Sequence, residues 1–281
     1  MTDAPERSSD TCYRHPKRES YVLCQRCGRT ICPDCQTPAA VGVQCPECVK
    51  EGRASQPRVR RGSRIGRVFR PGDRTPVVTW SIVGVTIVVF IAQLLTGGPM
   101  GGPVTGYLAY WAPLSPEMPW TMLTYVLVHG GFWHIVLNMY SLIVVGPILE
   151  LSLGRWRFLA LYLIAAFGGA VAVLWLAPGS PVVGASGAIF GCFAALVVLQ
   201  RGLGGNPTML LVVIGINLVL GFVPGFNVSW QAHVGGLVAG AAVALVFFAT
   251  RHRRRRGLQW GLLALVVAIL LAATFARFAL L

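Results

Sequence analysis

The stretch Val-Val-Gly-Ala-Ser-Gly-Ala-Ile-Phe-Gly, residues 182–191, decides how this chain folds. A short loop, Pro-Gly-Ser-Pro, leads into it, and a long apolar run follows. Gly187 and Gly191 are four residues apart, so a helix places both on one face. Because that face carries no side chains, the backbone of a second helix can approach it closely. Ser186 lies at the start of this predicted helix.

A matching face occurs in Ala-His-Val-Gly-Gly-Leu-Val-Ala-Gly, residues 232–240. Gly236 and Gly240 are four residues apart, and His233 lies on the same side of the predicted helix. Close approach of the two small-residue faces would bring Ser186 beside His233. An imidazole next to a serine is the minimum that makes a hydroxyl nucleophilic. The two stretches therefore predict a catalytic Ser–His dyad.

Composition indicates that most of the chain is a membrane domain. The protein is 54% hydrophobic and 12% charged, about half the charged fraction of soluble domains. Only Glu117 and Glu150 among the acidic residues follow Asp73. Apolar runs of about the length that crosses a membrane as a helix are found at residues 77–95, 133–152, 157–177, 186–203, 208–223, 231–250 and 258–280.

Positive charge lies on alternate connections between these runs. Residues 96–132, 177–185 and 224–231 contain no Lys or Arg. The other connections carry Arg155 and Arg157, then Arg201, then Arg251 and Arg253 to Arg256. The positive-inside rule then predicts a cytoplasmic N-terminus and a dyad near the outer surface. The basic linker at residues 51–75 would lie against anionic membrane lipid.

Seven of the eight cysteines lie before residue 50 and form, with one histidine, four pairs with two intervening residues. The pairs are Cys12 with His15, Cys24 with Cys27, Cys32 with Cys35, and Cys45 with Cys48. Eight such ligands suffice for two tetrahedral zinc ions, which would stabilise a segment that is poor in large apolar residues. Their order suggests that the first pair shares an ion with the third, and the second with the fourth. Disulfide bonds are the alternative, but the regular spacing and a reducing cytoplasm favour zinc.

The formal net charge of +14 would also suit a nucleic-acid-binding protein. The arginines, however, cluster beside apolar runs, and no basic aromatic surface is visible in the sequence. Nucleic acid is therefore not an expected partner. The first seven residues contain no apolar core, so they do not predict a secretory signal peptide.

The second apolar run opens with His-Gly-Gly-Phe-Trp-His-Ile-Val-Leu-Asn, from His129 to Asn138. Polar side chains inside a membrane are costly and are candidates for function. His134 and Asn138 share one helical face, and both can donate hydrogen bonds to a developing oxyanion, as can the N–H of Ser186. A metal site formed by the histidines is the alternative, but no carboxylate or cysteine completes its shell.

These three motifs together resemble the rhomboid family of intramembrane serine proteases. They are His-x4-His-x3-Asn, Gly-Ala-Ser-Gly and Ala-His-x2-Gly-x3-Gly, on the second, fourth and sixth runs. The resemblance covers residues 76–250 and implies a six-helix core that needs no cofactor for catalysis. It implies that Ser186 is the nucleophile, that His233 is the general base, and that His134 and Asn138 line the oxyanion hole. His129 would be structural.

Other features extend or depart from this resemblance. Glu150 and Arg157 resemble the region that packs the cytoplasmic end of the family's second helix. The last run would be a seventh helix added to the six. The cysteine-rich segment resembles a B-box-type or RING-like zinc module fused to some bacterial members. Where the family often has Trp-Arg in its first loop, this chain has Trp120-Thr121.

The sequence thus predicts an all-α polytopic membrane protein with a six-helix rhomboid core, one further C-terminal transmembrane helix and a small cytoplasmic zinc-binding domain. The expected domains are a disordered start (1–10), the zinc module (11–50), the basic linker (51–75), the six-helix domain (76–250) and a basic loop with the seventh helix (251–281). We expect an intramembrane serine endopeptidase in a bacterial plasma membrane that cleaves single- or multi-span membrane proteins near the outer face.

Two other functions are open at this stage. One is a catalytically inactive rhomboid-like protein that binds transmembrane segments. The other is a membrane-anchored zinc adaptor, for which a single span would suffice. In each case the zinc module would have a cytoplasmic protein partner.

Overall fold

The computed structural model describes residues 10–39, 41–55, 75–220 and 228–280. The chain divides into two compact units, Met1–Ser63 and Arg64–Leu281. The predicted disordered start, apart from residue 10, and most of the predicted basic linker lie outside the described residues.

In its described part, the first unit contains two short antiparallel hairpins, a 3-10 turn (Pro33–Cys35) and one α-helix. Strand β1 (Thr11–Cys12) pairs with β2 (His15–Glu19), and β3 (Thr37–Pro38) pairs with β4 (Val43–Gln44). Helix α1 (Pro46–Ser55) follows. Among its described residues, six cysteines and Ile31 form the buried core. A core with one large aliphatic side chain contributes little hydrophobic stabilisation, as the sequence predicts for this segment.

The second unit consists of helices. They are α2 (Val77–Leu95), α3 (Pro103–Leu108), α4 (Thr121–Thr124), α5 (Phe132–Leu153), α6 (Arg155–Leu176), α7 (Ser186–Gly202), α8 (Thr208–Leu220), α9 (Trp230–Ala249) and α10 (Arg256–Phe278). Within the described residues, a helix covers each predicted apolar run, so the prediction of an all-α polytopic protein is confirmed.

The seven apolar helices differ in length. Five of them, α2, α5, α6, α9 and α10, are long and apolar enough to cross a membrane. Helix α7 has 17 residues, and α8 has 13 within the described part of the chain. The helix boundaries lie close to those expected, although α6 and α10 each begin two residues early. Gly154, with φ +89°, supplies the tight turn that separates α5 from α6.

Helices α7 and α9 contact each other through their backbones. A Cβ atom built on Gly236 would lie 1.9 Å from the carbonyl oxygen of Gly187. One built on Gly240 would lie 2.3 Å from the Cα of Gly191. No side chain fits at either position, so only glycine permits this crossing. The predicted close contact of the two small-residue faces is confirmed.

Helix α6 makes a further close contact that the sequence analysis did not predict. A Cβ on Gly235 would lie 2.3 Å from the carbonyl oxygen of Gly168 on α6. A Cβ on Gly191 would lie 2.2 Å from the Cβ of Ala165 on the same helix. Helices α6, α7 and α9 therefore form a tightly packed centre. This packing fixes where the ends of the three helices lie relative to one another.

Glu150 on α5 joins that helix to the start of α2. One carboxylate oxygen accepts the N–H of Val78 at 2.9 Å, and the other accepts the N–H and the hydroxyl of Thr79, each at 2.8 Å. The first N–H groups of a helix lack intrahelical acceptors and carry partial positive charge. The buried carboxylate therefore needs no basic partner.

Arg157, which the family resemblance places with Glu150 at the cytoplasmic end of the second helix, contacts the seventh helix. Its Nε donates to the side-chain oxygen of Gln259 on α10 at 2.6 Å. The amide of Gln259 donates in turn to the hydroxyl of Thr250 at 2.7 Å. Gln259 is buried, so this small network fixes the start of α10 to the six-helix core.

The crossing of α7 and α9 predicts a large difference between two glycine-to-alanine substitutions. Gly236→Ala should lower the free energy of unfolding by about 1–3 kcal/mol or more, because its methyl group would overlap backbone atoms. Gly261→Ala on α10 is the matched control, since nothing lies within 4 Å of its Cβ position. Thermal unfolding of the purified protein in detergent measures both. Equal midpoints for the two variants would contradict the backbone contact.

Candidate active site and metal sites

Ser186 and His233 are in direct contact. The Nε2 atom of His233 lies 2.8 Å from the Oγ of Ser186. Ser186 is the first residue of α7, and His233 lies in the first turn of α9. Ser186 is next to Gly187, and His233 is one turn before Gly236. Because these two glycines are in contact at the crossing of α7 and α9, the crossing fixes the distance between Ser186 and His233. His233 is 5% exposed, and the pair is largely shielded from bulk solvent.

The imidazole of His233 is oriented by an aromatic ring. Phe190 stacks on it with ring centroids 4.1 Å apart and planes 12° from parallel. The sequence analysis did not single out Phe190, although its position four residues after Ser186 puts both on one face of α7. The Nδ1 atom of His233 is buried and has no hydrogen-bond partner among the described residues. Stacking, rather than a carboxylate, therefore holds this ring.

The residues before Ser186 are held by the long connection between α2 and α5. Tyr110 and Val182 exchange two backbone hydrogen bonds of 3.0 and 2.7 Å. The N–H of Gly184 donates to the carbonyl of Tyr125 at 2.9 Å, and the Tyr125 hydroxyl donates to the carbonyl of Ala166 on α6 at 2.9 Å. Both tyrosines are buried. This connection therefore positions the loop that carries Ser186.

His134 packs against the backbone of that same loop. Gly184 has φ +112°, and a Cβ there would lie 2.5 Å from the Nε2 of His134. The Nδ1 of His134 accepts the N–H of Gly130 at 3.3 Å. A neutral imidazole that accepts at Nδ1 carries its proton on Nε2. The N–H donor of His134 is thus at the nitrogen that lies close to Gly184, two residues before Ser186.

Asn138 and His129 complete the polar set at this end of α5. Asn138 is buried, and its Nδ2 donates to the carbonyl of His134 at 2.8 Å. The backbone N–H of His129 donates to the Oε1 of Gln93 at 3.0 Å, and the Nε2 of Gln93 donates back to the His129 carbonyl at 3.3 Å. Sequence reasoning missed Gln93, whose only signal is an amide inside the apolar run of α2.

The eight predicted zinc ligands form two groups in the first unit. Cys12, His15, Cys32 and Cys35 make one group, and Cys24, Cys27, Cys45 and Cys48 make the other. The ligand atoms of each group lie within 4.8 Å of one another. The first pair thus meets the third and the second meets the fourth. Four thiolate or imidazole donors converging on one point fit a tetrahedral zinc ion.

Local hydrogen bonds favour the metal-binding form of at least one thiol in the second group. Burial raises the pKa of Cys24, but backbone N–H groups, first among them that of Cys45, lower it to about 6. The N–H of Cys45 lies 3.2 Å from the sulfur. Because the thiolate is the ligand form of cysteine, this backbone arrangement suits the same coordination that the sequence spacing predicts.

Residues 116–250 match the family model described as "Rhomboid domain". The chain is also 31% identical to "Putative rhomboid protease YdcA" of Bacillus subtilis (strain 168) over 141 residues. These residues are 48% of this chain and 70% of that protein. The chain belongs to the rhomboid family. Its site residues lie in the part of the second unit that the family model covers.

Two other relatives match a smaller share of their own length. "Rhomboid protease GluP" of Bacillus subtilis (strain 168) is 33% identical over 192 residues, which are 63% of this chain and 36% of that protein. "RHOMBOID-like protein 5" of Arabidopsis thaliana is 36% identical over 137 residues, 45% of this chain and 43% of that protein. The rhomboid family consists of integral membrane proteins that act on transmembrane substrates, and this chain's apolar helices agree with membership.

The two cysteine groups predict the metal content of the purified full-length protein. We expect about two zinc ions per chain, because each group supplies four ligands. Cys45→Ser should reduce this to about one, whereas Cys192→Ser, which changes the one cysteine of α7, should leave it at two. Inductively coupled plasma mass spectrometry measures the ratio. Wild-type protein without zinc, or equal zinc in the two variants, would contradict the assignment.

Proposed function

We propose that this rhomboid-family chain is an intramembrane serine endopeptidase in which Ser186 is the nucleophile and His233 the general base. The observation that carries the proposal is the 2.8 Å contact between the His233 Nε2 and the Ser186 Oγ. A hydroxyl becomes nucleophilic when a positioned base accepts its proton. The buried, stacked imidazole supports that role, because its position is fixed before substrate binds.

The reaction then has two stages. His233 takes the proton of Ser186 as the serine oxygen attacks the carbonyl carbon of the scissile peptide bond. The resulting imidazolium protonates the leaving amine, and an acyl-enzyme remains. Water, activated by the same imidazole, attacks the ester and frees Ser186. Among the described residues, no carboxylate bonds to the His233 Nδ1, which supports a dyad rather than a triad. This scheme uses no cofactor.

Three donors support an oxyanion hole next to Ser186. The backbone N–H of Ser186 belongs to the first turn of α7, where N–H groups have no intrahelical acceptor. The Nε2–H of His134 lies against the Gly184 backbone close by, and the Nδ2 of Asn138 has a second hydrogen beyond the one it donates to His134. Such preorganised donors stabilise the negative charge that develops in the transition state.

The proposed substrates are transmembrane segments of single- or multi-span membrane proteins. A helical peptide bond is shielded by its own turns, so a substrate must unwind locally before Ser186 can reach its carbonyl. The dyad lies at the ends of α7 and α9 that are opposite the arginine-rich connections, which supports cleavage near the outer face. The same rule supports a cytoplasmic N-terminus, and the similarity to two Bacillus subtilis proteins supports a bacterial plasma membrane.

We assign the two zinc ions a structural role in the first unit. Its core is made of ligand side chains, so metal binding and folding would be coupled. This module would then present a folded surface to a cytoplasmic protein partner, separate from catalysis.

Cleavage of a single-span reporter by the purified protein in detergent tests the assignment of the nucleophile. We expect product with the wild type and none with Ser186→Ala. Ser180→Ala is the matched control, because Ser180 is an exposed serine of the preceding loop. Product from Ser186→Ala would refute the nucleophile. No product from wild type, together with no labelling of Ser186 by a fluorophosphonate, would leave an inactive binder of transmembrane segments.

The contact between Gly184 and His134 predicts a selective loss of turnover. Gly184→Ala should lower kcat by roughly 100-fold, since its methyl group would displace the His134 donor and its φ disfavours alanine. Gly179→Ala, in the same loop and with no atom within 4 Å of its Cβ, should retain wild-type turnover. Steady-state cleavage, with thermal unfolding as a check of folding, measures both. Unchanged turnover in Gly184→Ala would contradict the oxyanion assignment.

A further inference from the structure

One arginine of the membrane unit lies apart from the others. Eight of the nine arginines that follow residue 75 are found at the helix ends opposite Ser186. The ninth, Arg277, lies in the last turn of α10, at the same end as Ser186. Its guanidinium lies 5.8 Å from the centre of the Trp175 ring on α6. Among the described residues, no carboxylate is within ion-pair distance of it.

An apolar groove between α6, α9 and α10 is lined by Trp175, the ring that the Arg277 guanidinium faces. Its volume is about 470 Å³, and its lining is entirely apolar. Small residues, among them Gly168, Ala172 and Gly235, form its floor, and Trp175, Val238 and Leu270 form its walls. Val238 is 62% exposed, so the groove opens to the surroundings of the unit.

The groove exists because α10 is attached to the core at two separated points. Near its start, Gln259 bonds to Arg157 and Thr250. Near its end, the Nε1 of Trp175 donates to the carbonyl of Ala273 at 3.1 Å. Between these points, Val266, Ile269 and Leu270 of α10 line the groove. In a bilayer such an apolar gap contains no water, and an unfilled gap would forfeit dispersion contacts along its whole lining.

We propose that this groove binds one acyl chain of a glycerophospholipid whose phosphate contacts Arg277. The charge arrangement fits, because a phospholipid carries its phosphate at one end of its chains and Arg277 stands at one end of the groove. A guanidinium binds phosphate by paired, charge-assisted hydrogen bonds. A lipid that moves from the bilayer into the groove gains no hydrophobic free energy. Its selection therefore depends on the phosphate contact and on close packing.

The lone arginine favours a phospholipid over an apolar helix of another protein as the occupant, because the lipid brings a phosphate to Arg277. The inference does not depend on proteolysis, because its test measures binding alone.

Native mass spectrometry of the full-length protein tests the proposal, with dioleoyl phosphatidylglycerol added to delipidated protein in detergent. We expect one tightly retained lipid in the wild type. Arg277→Gln should weaken its affinity by about tenfold or more, since a hydrogen-bonded charge is lost. Val238→Trp should abolish retention by filling the groove. Arg256→Gln, at the other end of α10, and Leu245→Trp, on an exposed part of α9, are the matched controls.

Several outcomes would overturn the proposal. Wild-type protein that retains no lipid would do so, as would a Val238→Trp variant that retains it normally. Equal affinity for dioleoylglycerol, which lacks the phosphate, or unchanged affinity in Arg277→Gln would remove the role of Arg277. A dimer of this chain that Val238→Trp disrupts would identify a second copy, rather than a lipid, as the occupant.

Discussion

The backbone contact between α7 and α9 is the interaction on which the rest of the membrane unit depends. Apolar side chains gain nothing by leaving lipid for protein, so helices associate in membranes through close van der Waals packing. Glycine allows the closest approach, and a Cβ on Gly236 would come within 1.9 Å of Gly187. Ser186 precedes one glycine of this pair, and His233 stands one turn before the other. The packing that stabilises the fold therefore also sets the distance between the two candidate catalytic groups.

Polar side chains inside this apolar unit serve as connectors. Glu150 accepts three hydrogen bonds from the start of α2, Gln93 holds both backbone groups of His129, and Gln259 joins α10 to the core. Each of these side chains supplies hydrogen-bond partners to buried polar groups. An unpaired polar group would be costly inside a membrane, because no water is there to bond to it. The imidazole of His233 is different, because its Nδ1 has no partner among the described residues. Its ring is held by stacking on Phe190 and by the contact of its Nε2 with the Ser186 hydroxyl, the group whose proton it would accept.

The first unit meets the problem of stability in another way. It buries cysteines where a larger domain would bury leucine and phenylalanine. Each group brings together two ligand pairs that are far apart in the sequence. The segment that carries them has too few large apolar residues to form a hydrophobic core. A metal ion in each group would replace that core, because binding free energy is then folding free energy. The second unit is thus held by close glycine contacts between helices, whereas the first unit would be held by metal ligands.

The sequence by itself determined the seven apolar helices, the family and the pairing of small-residue faces. The helices and the small-residue faces follow from period, spacing and composition, which are local properties, and the family follows from the resemblance of three short motifs. It also pointed to Ser186 and His233, because a polar residue beside glycines in an apolar helix is conspicuous. Only the tertiary structure revealed the stacking of Phe190 on the imidazole, the hydrogen bonds of Gln93 to the His129 backbone, and the bond from Arg157 to Gln259 on α10. These are contacts between residues far apart in sequence and of ordinary type. Which residues contact each other depends on how the helices cross, and the crossing cannot be read from a local sequence pattern.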